Sequence, residues 1–373
     1  MMFITGYATE QGTARYRSRF ASRLPGHFRQ AHGLWLSSLG LGTYLGEADS
    51  DYDTRYQDAA ARAIDRGINV IDSAVNYRHQ RSERSVGQAI ALLIKQGRLS
   101  RDELFVSTKG GFLTFDGSPP DDPSSYFYDQ VIRSGLAREQ DVAADCHVMT
   151  PEYLAHQVDV SRRNLGLETI DLYYLHNPET QLSRRDRPAF YRTLKDAFVA
   201  LEEAVAAGKI RFYGTASWNA YRVAPESAEA VDLNQVLAAA EMAGGLGHHF
   251  RAVQLPFNLA MPEALVTPTQ SMDAQLVPFL RRVSGQGLMV FASASLLQGQ
   301  LTSGIPQDLA RRFPLLATDA QRALQFVRST PGITSALVGM SSLEHVDQNV
   351  ATANTPPLNS DQYRALFGGG SSV

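Results

Sequence analysis

The chain has 373 residues, with 35 Lys and Arg against 38 Asp and Glu, a formal net charge of -3, and 44% hydrophobic residues. That composition suits a large packed core, carries no basic excess to suggest nucleic acid, and shows no single-sign field to suggest a membrane surface. Cys146 is the only cysteine, so no intrachain disulfide is expected, and no apolar run approaches the ~20 residues of a membrane span. The opening stretch MMFITGYATEQGTARYRSRF lacks the apolar core of a signal peptide, so the expectation is a cytoplasmic protein.

Short apolar runs alternate with helical patterns along the chain. LSSLGLGT (Leu36–Thr43) reads as a strand and is followed by a helical pattern from Arg55 to Arg66. INVID (68–72) precedes SERSVGQAIALLIKQG, where Ser82 is the expected N-cap and Gly97 the stop. LFVSTK (104–109) is the third strand. Further on, TPEYLAHQVDVSRRNLG opens a helix with Thr150 as N-cap, Pro151 in the first turn and Glu152 just after it. IDLYYLH (170–176) comes next, then a helix ending near Gly208, then KIRFYGTA (209–216). A helix around Leu233–Met242 leads to AVQLPFN (252–258), and one around Met272–Ser284 leads to LMVFASA (288–294). A helix around Asp319–Arg328 leads to ITSALVG (333–339), and a last helix runs from about Ser342 to Ala353.

That makes eight strands, each followed by a helix. Runs such as IDLYYL and LMVFASA scarcely alternate, as strands covered on both faces should not. Eight such units predict an α/β protein, a closed (β/α)8 TIM barrel over residues 36–353, in a single domain. The competitor, a doubly wound open sheet, lacks a GxGxxG after its first strand. Residues 1–35 form an N-terminal extension. GHFRQAHGLWLSS, running out of it, suits a hairpin around Ala31–Gly33 that covers the bottom of the barrel. Residues 112–147 are a long insertion after the third strand, and its Phe112, Phe115, Tyr126, Phe127 and Tyr128 are expected in a pocket wall at the barrel mouth beside Tyr77. Residues 354–373 form a C-terminal tail, and its end, LFGGGSSV, reads as flexible.

In a parallel barrel the active site lies at the C-terminal ends of the strands. Asp72, Lys109 and His176 sit at three such ends, and Tyr77 follows Asp72 in its loop. Each of these alone reads as a cap, a packed ring or a solvated charge; four in order at successive strand ends read as a site. A free tyrosine is a poor acid near neutrality, and a nearby Lys⁺ favours its phenolate. Asp72 can hold Lys109, His176 can hydrogen-bond a substrate oxygen, and Tyr77 can give its proton to an oxygen gaining charge. Such a set suits reduction of a carbonyl by hydride from a nicotinamide. His147, His156, His248 and His249 show no metal-ligand spacing, so no metal site is expected.

These residues resemble the aldo-keto reductase superfamily. The matching motifs, in the family's order, are GLGTY (Gly40–Tyr44), DSAVNYRHQRSE (Asp72–Glu83), STKGG (Ser107–Gly111), LHNP (Leu175–Pro178), GTASWN (Gly214–Asn219), QLPFN (Gln254–Asn258), LLQGQLTSG (Leu296–Gly304) and VGMSSLEHVDQN (Val338–Asn349). The resemblance implies a tetrad of Asp72, Tyr77, Lys109 and His176, a small-molecule carbonyl substrate, and a cofactor extended across the barrel mouth. It implies NADP(H) as the favoured cofactor, with NAD(H) also admissible. Contacts fall on Gly42, Thr43 and Tyr44, on Asp72, and on Ser217 and Gln254 at the carboxamide. Leu296 and Gly299 fall by the pyrophosphate, and Ser342, His345, Gln348 and Asn349 at the adenosine end. Four positions depart from the family pattern: Arg78 replaces a glycine after the tyrosine, Ala216-Ser217 replaces Ser-Asn, Ser293 stands where an aromatic often stacks, and the last segment has no Lys or Arg. The superfamily also includes potassium-channel β-subunits, which implies a second reading: a cofactor-binding regulatory subunit with slow turnover. A phosphosugar enzyme on the same barrel finds no Gly-rich phosphate grip in the loops after the last two strands.

Overall fold

The computed structural model describes residues 3–367. Twelve strands occur among them: β1 (Phe28–Ala31), β2 (Leu34–Ser37), β3 (Leu39–Gly42), β4 (Val70–Asp72), β5 (Phe105–Gly110), β6 (Ile170–His176), β7 (Ile210–Ala216), β8 (Phe250–Pro256), β9 (Pro268–Met272), β10 (Gln275–Pro278), β11 (Met289–Ser293) and β12 (Ser335–Gly339). Eight of them, β3 to β8 with β11 and β12, close into one barrel, and every neighbouring pair in it is parallel. The protein is a (β/α)8 barrel.

Burial explains the poor alternation of the central strands. Every residue of β5 is buried, and so is every residue of β6 but His176. Side chains on one face fill the barrel: Phe105, Leu172, Tyr174, Phe212, Phe291 and Leu337 share a single cluster. The other face packs under the helices, against residues such as Ile90, Leu154, Phe198 and Leu324. A charge in such a strand must be paired, because an isolated buried charge is strongly disfavoured. At the bottom Asp171 shows the requirement met in full. Its carboxylate accepts from Arg101 at 2.6 Å and from the backbone N–H of Ala8 at 2.6 Å and of Val106 at 2.9 Å.

Residues 28–37 form an antiparallel hairpin, β1 with β2, turning at His32 and Gly33. Leu34 and Leu36 of this hairpin enter the interior cluster of the barrel at the end opposite Asp72. Between residues 354 and 367 the chain is packed: the ring of Tyr363 lies 5.8 Å from that of Phe326, and its hydroxyl is 2.7 Å from Thr330 Oγ1. The rest of the expected flexible end, from Gly368 on, lies outside the described residues.

Two local expectations fail. Ser82 does not cap its helix; the helix runs Arg81–Lys95 behind Gln80, and Ser82 sits inside it with its hydroxyl donating to the Thr43 carbonyl at 2.8 Å. A Ser in a first turn reads as a cap in sequence, but here a tertiary acceptor claims it. The helix expected around Met272–Ser284 is replaced by the β9–β10 hairpin and a helix of only five residues, Phe279–Val283. Pro268 and Pro278 bracket the hairpin, and Asp273 and Ala274 turn it with positive φ of 49° and 62°. That turn outweighs the helix-like apolar spacing.

Candidate active site

The site grows from three neighbouring strand ends and one loop. Asp72 closes β4, Lys109 lies one residue before the end of β5, and His176 closes β6; Tyr77 arrives on the loop after β4. Lys109 is fully buried, and its ammonium donates to Asp72 Oδ2 at 2.5 Å and to the Ser73 carbonyl at 2.7 Å. Asp72 is fixed from its other oxygen, which accepts from Ser107 Oγ at 2.7 Å and Gln254 Nε2 at 3.0 Å. Lys109 Nζ stands 4.8 Å from the centroid of the Tyr77 ring. That ring meets His176 at 5.8 Å and Tyr44 at 5.1 Å, both edge-on, and Phe112 meets His176 at 5.0 Å.

The electrostatics follow from this packing. Burial raises the Tyr77 pKa above its ordinary value, while Lys109 pulls it down without reversing the shift. The lysine therefore acts in the expected direction, but desolvation wins. Burial also works against the charge of Lys109, yet Asp72 and Tyr77 outweigh it and hold its pKa above the usual lysine value. His176 is pushed far below the ordinary histidine pKa by burial, by Lys109 and by His147, so its ring is neutral.

Above these side chains lies a cavity of about 890 Å³. Of the residues expected at the cofactor, Gly42, Thr43, Tyr44, Asp72, Ser217, Gln254, Leu296, Gly299, His345, Gln348 and Asn349 line it. Ser342 does not; it caps the helix Leu343–Ala351, its hydroxyl accepting from the backbone N–H of His345 at 3.2 Å. The cavity thus runs from Tyr77 to the start of that last helix. Its polar lining fits a dinucleotide. The Ser217 hydroxyl and Asn76 Oδ1 are buried with no hydrogen-bond partner, as groups awaiting a carboxamide or a sugar would be. Among the described residues, no Lys or Arg lines it.

Arg78, which stands where the family pattern has a glycine, keeps clear of the cavity. It neither crowds nor charges the pocket. Its guanidinium turns outward, donating to the Glu47 carbonyl at 2.7 Å, the Asp49 carbonyl at 3.1 Å and Asp53 Oδ1 at 2.7 Å. Phe291 packs inside the barrel, 6.0 Å from Phe105, and leaves Ser293 at the cavity. Of the five aromatics in the insertion only Phe112 lines the cavity. Phe115, Tyr126 and Phe127 stack on one another instead, with Phe115 5.3 Å from His79. Their hydrophobicity is satisfied within the insertion, so it made no demand on the pocket.

Sequence reasoning missed Asn76, Asn177, Trp218 and Glu179. Asn177 directly follows His176, takes a left-handed conformation with φ 45°, and lines the cavity. Trp218 lines it too, and is held by Glu179, whose Oε1 accepts from the Trp218 and Asn219 backbone N–H groups at 2.7 and 3.1 Å. Three of these four stand within the quoted motifs LHNP, GTASWN and DSAVNYRHQRSE, so attention to the residues flanking each tetrad member would have found them.

Residues 38–242 match the pattern that defines the Aldo/keto reductase family. An NADH-specific methylglyoxal reductase of Escherichia coli is 24% identical, covering 86% of this chain and 90% of its own. A putative voltage-gated potassium channel subunit beta of Schizosaccharomyces pombe is 21% identical, covering 88% of this chain and 87% of its own. Among solved structures, an aldo/keto reductase of Klebsiella pneumoniae in complex with NADP and acetate superposes with a TM-score of 0.61 at 22% identity, covering 91% of this chain and 94% of that one.

Proposed function

Since the chain belongs to the Aldo/keto reductase family, we propose that it is an NAD(P)H-dependent oxidoreductase reducing an aldehyde or ketone to an alcohol, with Tyr77 as the proton donor. The observation that carries the reading is the buried Lys109, clamped 2.5 Å from Asp72 and 4.8 Å from the Tyr77 ring, with His176 across that ring. A lysine with no access to solvent and a single carboxylate partner is costly to keep unless its charge serves a neighbour.

The reduced nicotinamide, when bound, supplies the hydride that reaches the carbonyl carbon. The rest falls to the chain. Neutral His176 donates a ring N–H to the carbonyl oxygen and fixes its place. Tyr77 gives its hydroxyl proton to that oxygen as charge builds there. The phenolate left behind faces the Lys109 ammonium, which stabilises it and makes the transfer easier. Asp72, itself held by Ser107 and Gln254, keeps Lys109 in place. Solvent reprotonates Tyr77 after the alcohol leaves. Ser217, Asn76 and Gln254 are the polar groups for the carboxamide end of the cofactor, and His345, Gln348 and Asn349 those for its adenosine end.

NADP(H) is the favoured cofactor, with NAD(H) accepted. The NADP bound by the Klebsiella neighbour supports the first, and the NADH-specific Escherichia relative together with a cavity free of Lys and Arg supports the second. A steady-state assay of NADPH and NADH oxidation over a panel of aldehydes and ketones tests the proposal. Tight cofactor binding with no turnover on any carbonyl would favour the other reading, a regulatory subunit, for which the potassium-channel relative is the motivating observation.

A further inference from the structure

The insertion begins and ends on residues that bracket His176. Its first residue, Phe112, and its last, His147, pair as an isolated antiparallel bridge. The Phe112 ring stands edge-on to both histidines, 5.1 Å from His147 and 5.0 Å from His176. His147 is buried, and its Nε2 lies 2.8 Å from the backbone carbonyl oxygen of His176. On the other side of its ring Nδ1 lies 2.9 Å from Gln181 Nε2. Gly111 leaves the room for this contact: a Cβ there would stand 2.7 Å from His147 Nε2, and its φ of +130° suits glycine alone.

The hydrogen positions follow from the partners. Arg185 has donors only, so the Gln181 atom it meets is the oxygen. The Gln181 nitrogen meets the His147 backbone carbonyl at 2.9 Å, an acceptor only. Both neighbours fix the same orientation of the amide, so Gln181 donates to His147 Nδ1. The ring proton is then on Nε2, where it can only be given to the His176 carbonyl. Arg185 in turn lies 3.6 Å from Asp141 of the insertion. The chain of donors runs from Arg185 through Gln181 and His147 to the main chain of His176.

We propose that His147 is a positioning residue through which the insertion holds His176 in place for the substrate carbonyl, with Gln181 locking the His147 tautomer. The inference rests on the role given to His176 in carbonyl reduction. It makes the insertion part of the site through a hydrogen bond to its main chain as well as through the cavity wall. His147 touches neither substrate nor cofactor; it acts on the placement of the residue that does.

The test uses three variants of the full chain, read by kinetics and by spectra of protein labelled with ¹⁵N-histidine. His147→Leu removes the donor and should lower kcat for carbonyl reduction by roughly ten- to a hundredfold, the scale of a small misplacement of a reacting partner. The cofactor dissociation constant should stay unchanged. His147→Gln can donate to the His176 carbonyl and accept from Gln181, so it should recover most of kcat. Gln181→Glu presents an acceptor where a donor stood, and should move a proton onto His147 Nδ1 at neutral pH and shift the His176 ring signals. In the wild type the His147 signals should show Nε2–H with an accepting Nδ1. A wild type with Nδ1–H, or a folded His147→Leu with unchanged kcat and unmoved His176 signals, would overturn the proposal. If the wild type turns over no carbonyl, the functional reading fails instead. The inference is then decided by the spectra alone: by the His147 tautomer and by whether His176 moves in His147→Leu but not in His147→Gln.

Discussion

Replacing Tyr77 with phenylalanine isolates one hydroxyl group. The ring contacts survive: Tyr44 at 5.1 Å, His176 at 5.8 Å, and the Lys109 ammonium at 4.8 Å from the centroid. No cavity opens, so stability should change by no more than about 1 kcal/mol, the net worth of one hydrogen bond. Catalysis loses its acid, so kcat for carbonyl reduction should fall by roughly 10²- to 10⁴-fold, with cofactor affinity unchanged. The assay is the loss of NADPH absorbance under saturating carbonyl, beside a urea unfolding curve. The wild-type pH profile carries the same logic with a definite sign. Reduction needs the protonated phenol, and burial holds the Tyr77 pKa above its ordinary value. Reduction should therefore stay level through neutral pH and fall only as pH rises past about 10, the ordinary tyrosine value. Alcohol oxidation needs the phenolate and should rise over the same range. His176, neutral well below its ordinary pKa, adds no break between. Near-normal reduction by Tyr77→Phe, with a wild-type alkaline limb already falling near neutrality, would refute the assignment of Tyr77 as the acid.

Three further outcomes follow from the same geometry. Asp72→Asn leaves Lys109 buried with only the Ser73 carbonyl at 2.7 Å, so it should cost about 3–5 kcal/mol in urea unfolding, and Lys109→Met added on top should recover much of that loss. His345→Arg places a permanent positive charge at the adenosine end of a cavity lined by no Lys or Arg among the described residues, and should shift the ratio of NADPH to NADH dissociation constants by roughly tenfold toward NADPH, read by fluorescence quenching. Phe112→Ala opens the wall 5.0 Å from His176 and should raise kcat/KM for a bulky ketone relative to a small aldehyde by roughly tenfold.

The barrel was legible because its evidence is periodic and repeated. Eight apolar runs, each ending at a turn, point one way, and an error of two residues at the start of β8 leaves the topology untouched. The proposed tetrad stood out in the sequence because Asp72, Lys109 and His176 stand where apolar strands stop, at the end of the barrel where a site is expected, whereas a charge such as Asp171 lies near the start of its strand and is used up in pairing with Arg101. What the sequence hid depended on where side chains turn. Arg78 reads as a charge beside Tyr77, yet its guanidinium reaches back to Glu47 and Asp53. Ser82 reads as a cap and is spent on the Thr43 carbonyl. The aromatics of the insertion read as a pocket wall, but hydrophobicity alone does not say which neighbour will bury a ring. His147 could not have been found at all, since its partner is a main-chain carbonyl 29 residues away.

The loop carrying Tyr77 shows why the insertion belongs with the chemistry. Arg78, His79 and Gln80 take positive φ of 49°, 54° and 73° in succession, with no glycine among them. Each costs on the order of 1 kcal/mol relative to ordinary backbone, so the turn persists only if its surroundings hold it. Those holds come from two directions. The guanidinium of Arg78 is bound by Glu47, Asp49 and Asp53 on the helix side. On the other side the insertion closes over the turn: Gly117 N–H donates to the His79 carbonyl at 2.9 Å, and Gln80 Nε2 donates to the Phe115 carbonyl at 2.9 Å. The same insertion reaches the far side of the site through His147 and the His176 carbonyl. It therefore touches the supports of both residues proposed to meet the substrate oxygen, the donor Tyr77 and the positioning His176. A segment that only shaped the pocket would need neither contact. Fixing the separation of those two groups is what proton transfer to a carbonyl oxygen requires, because the donor must lie within hydrogen-bond reach of an atom the other residue has placed.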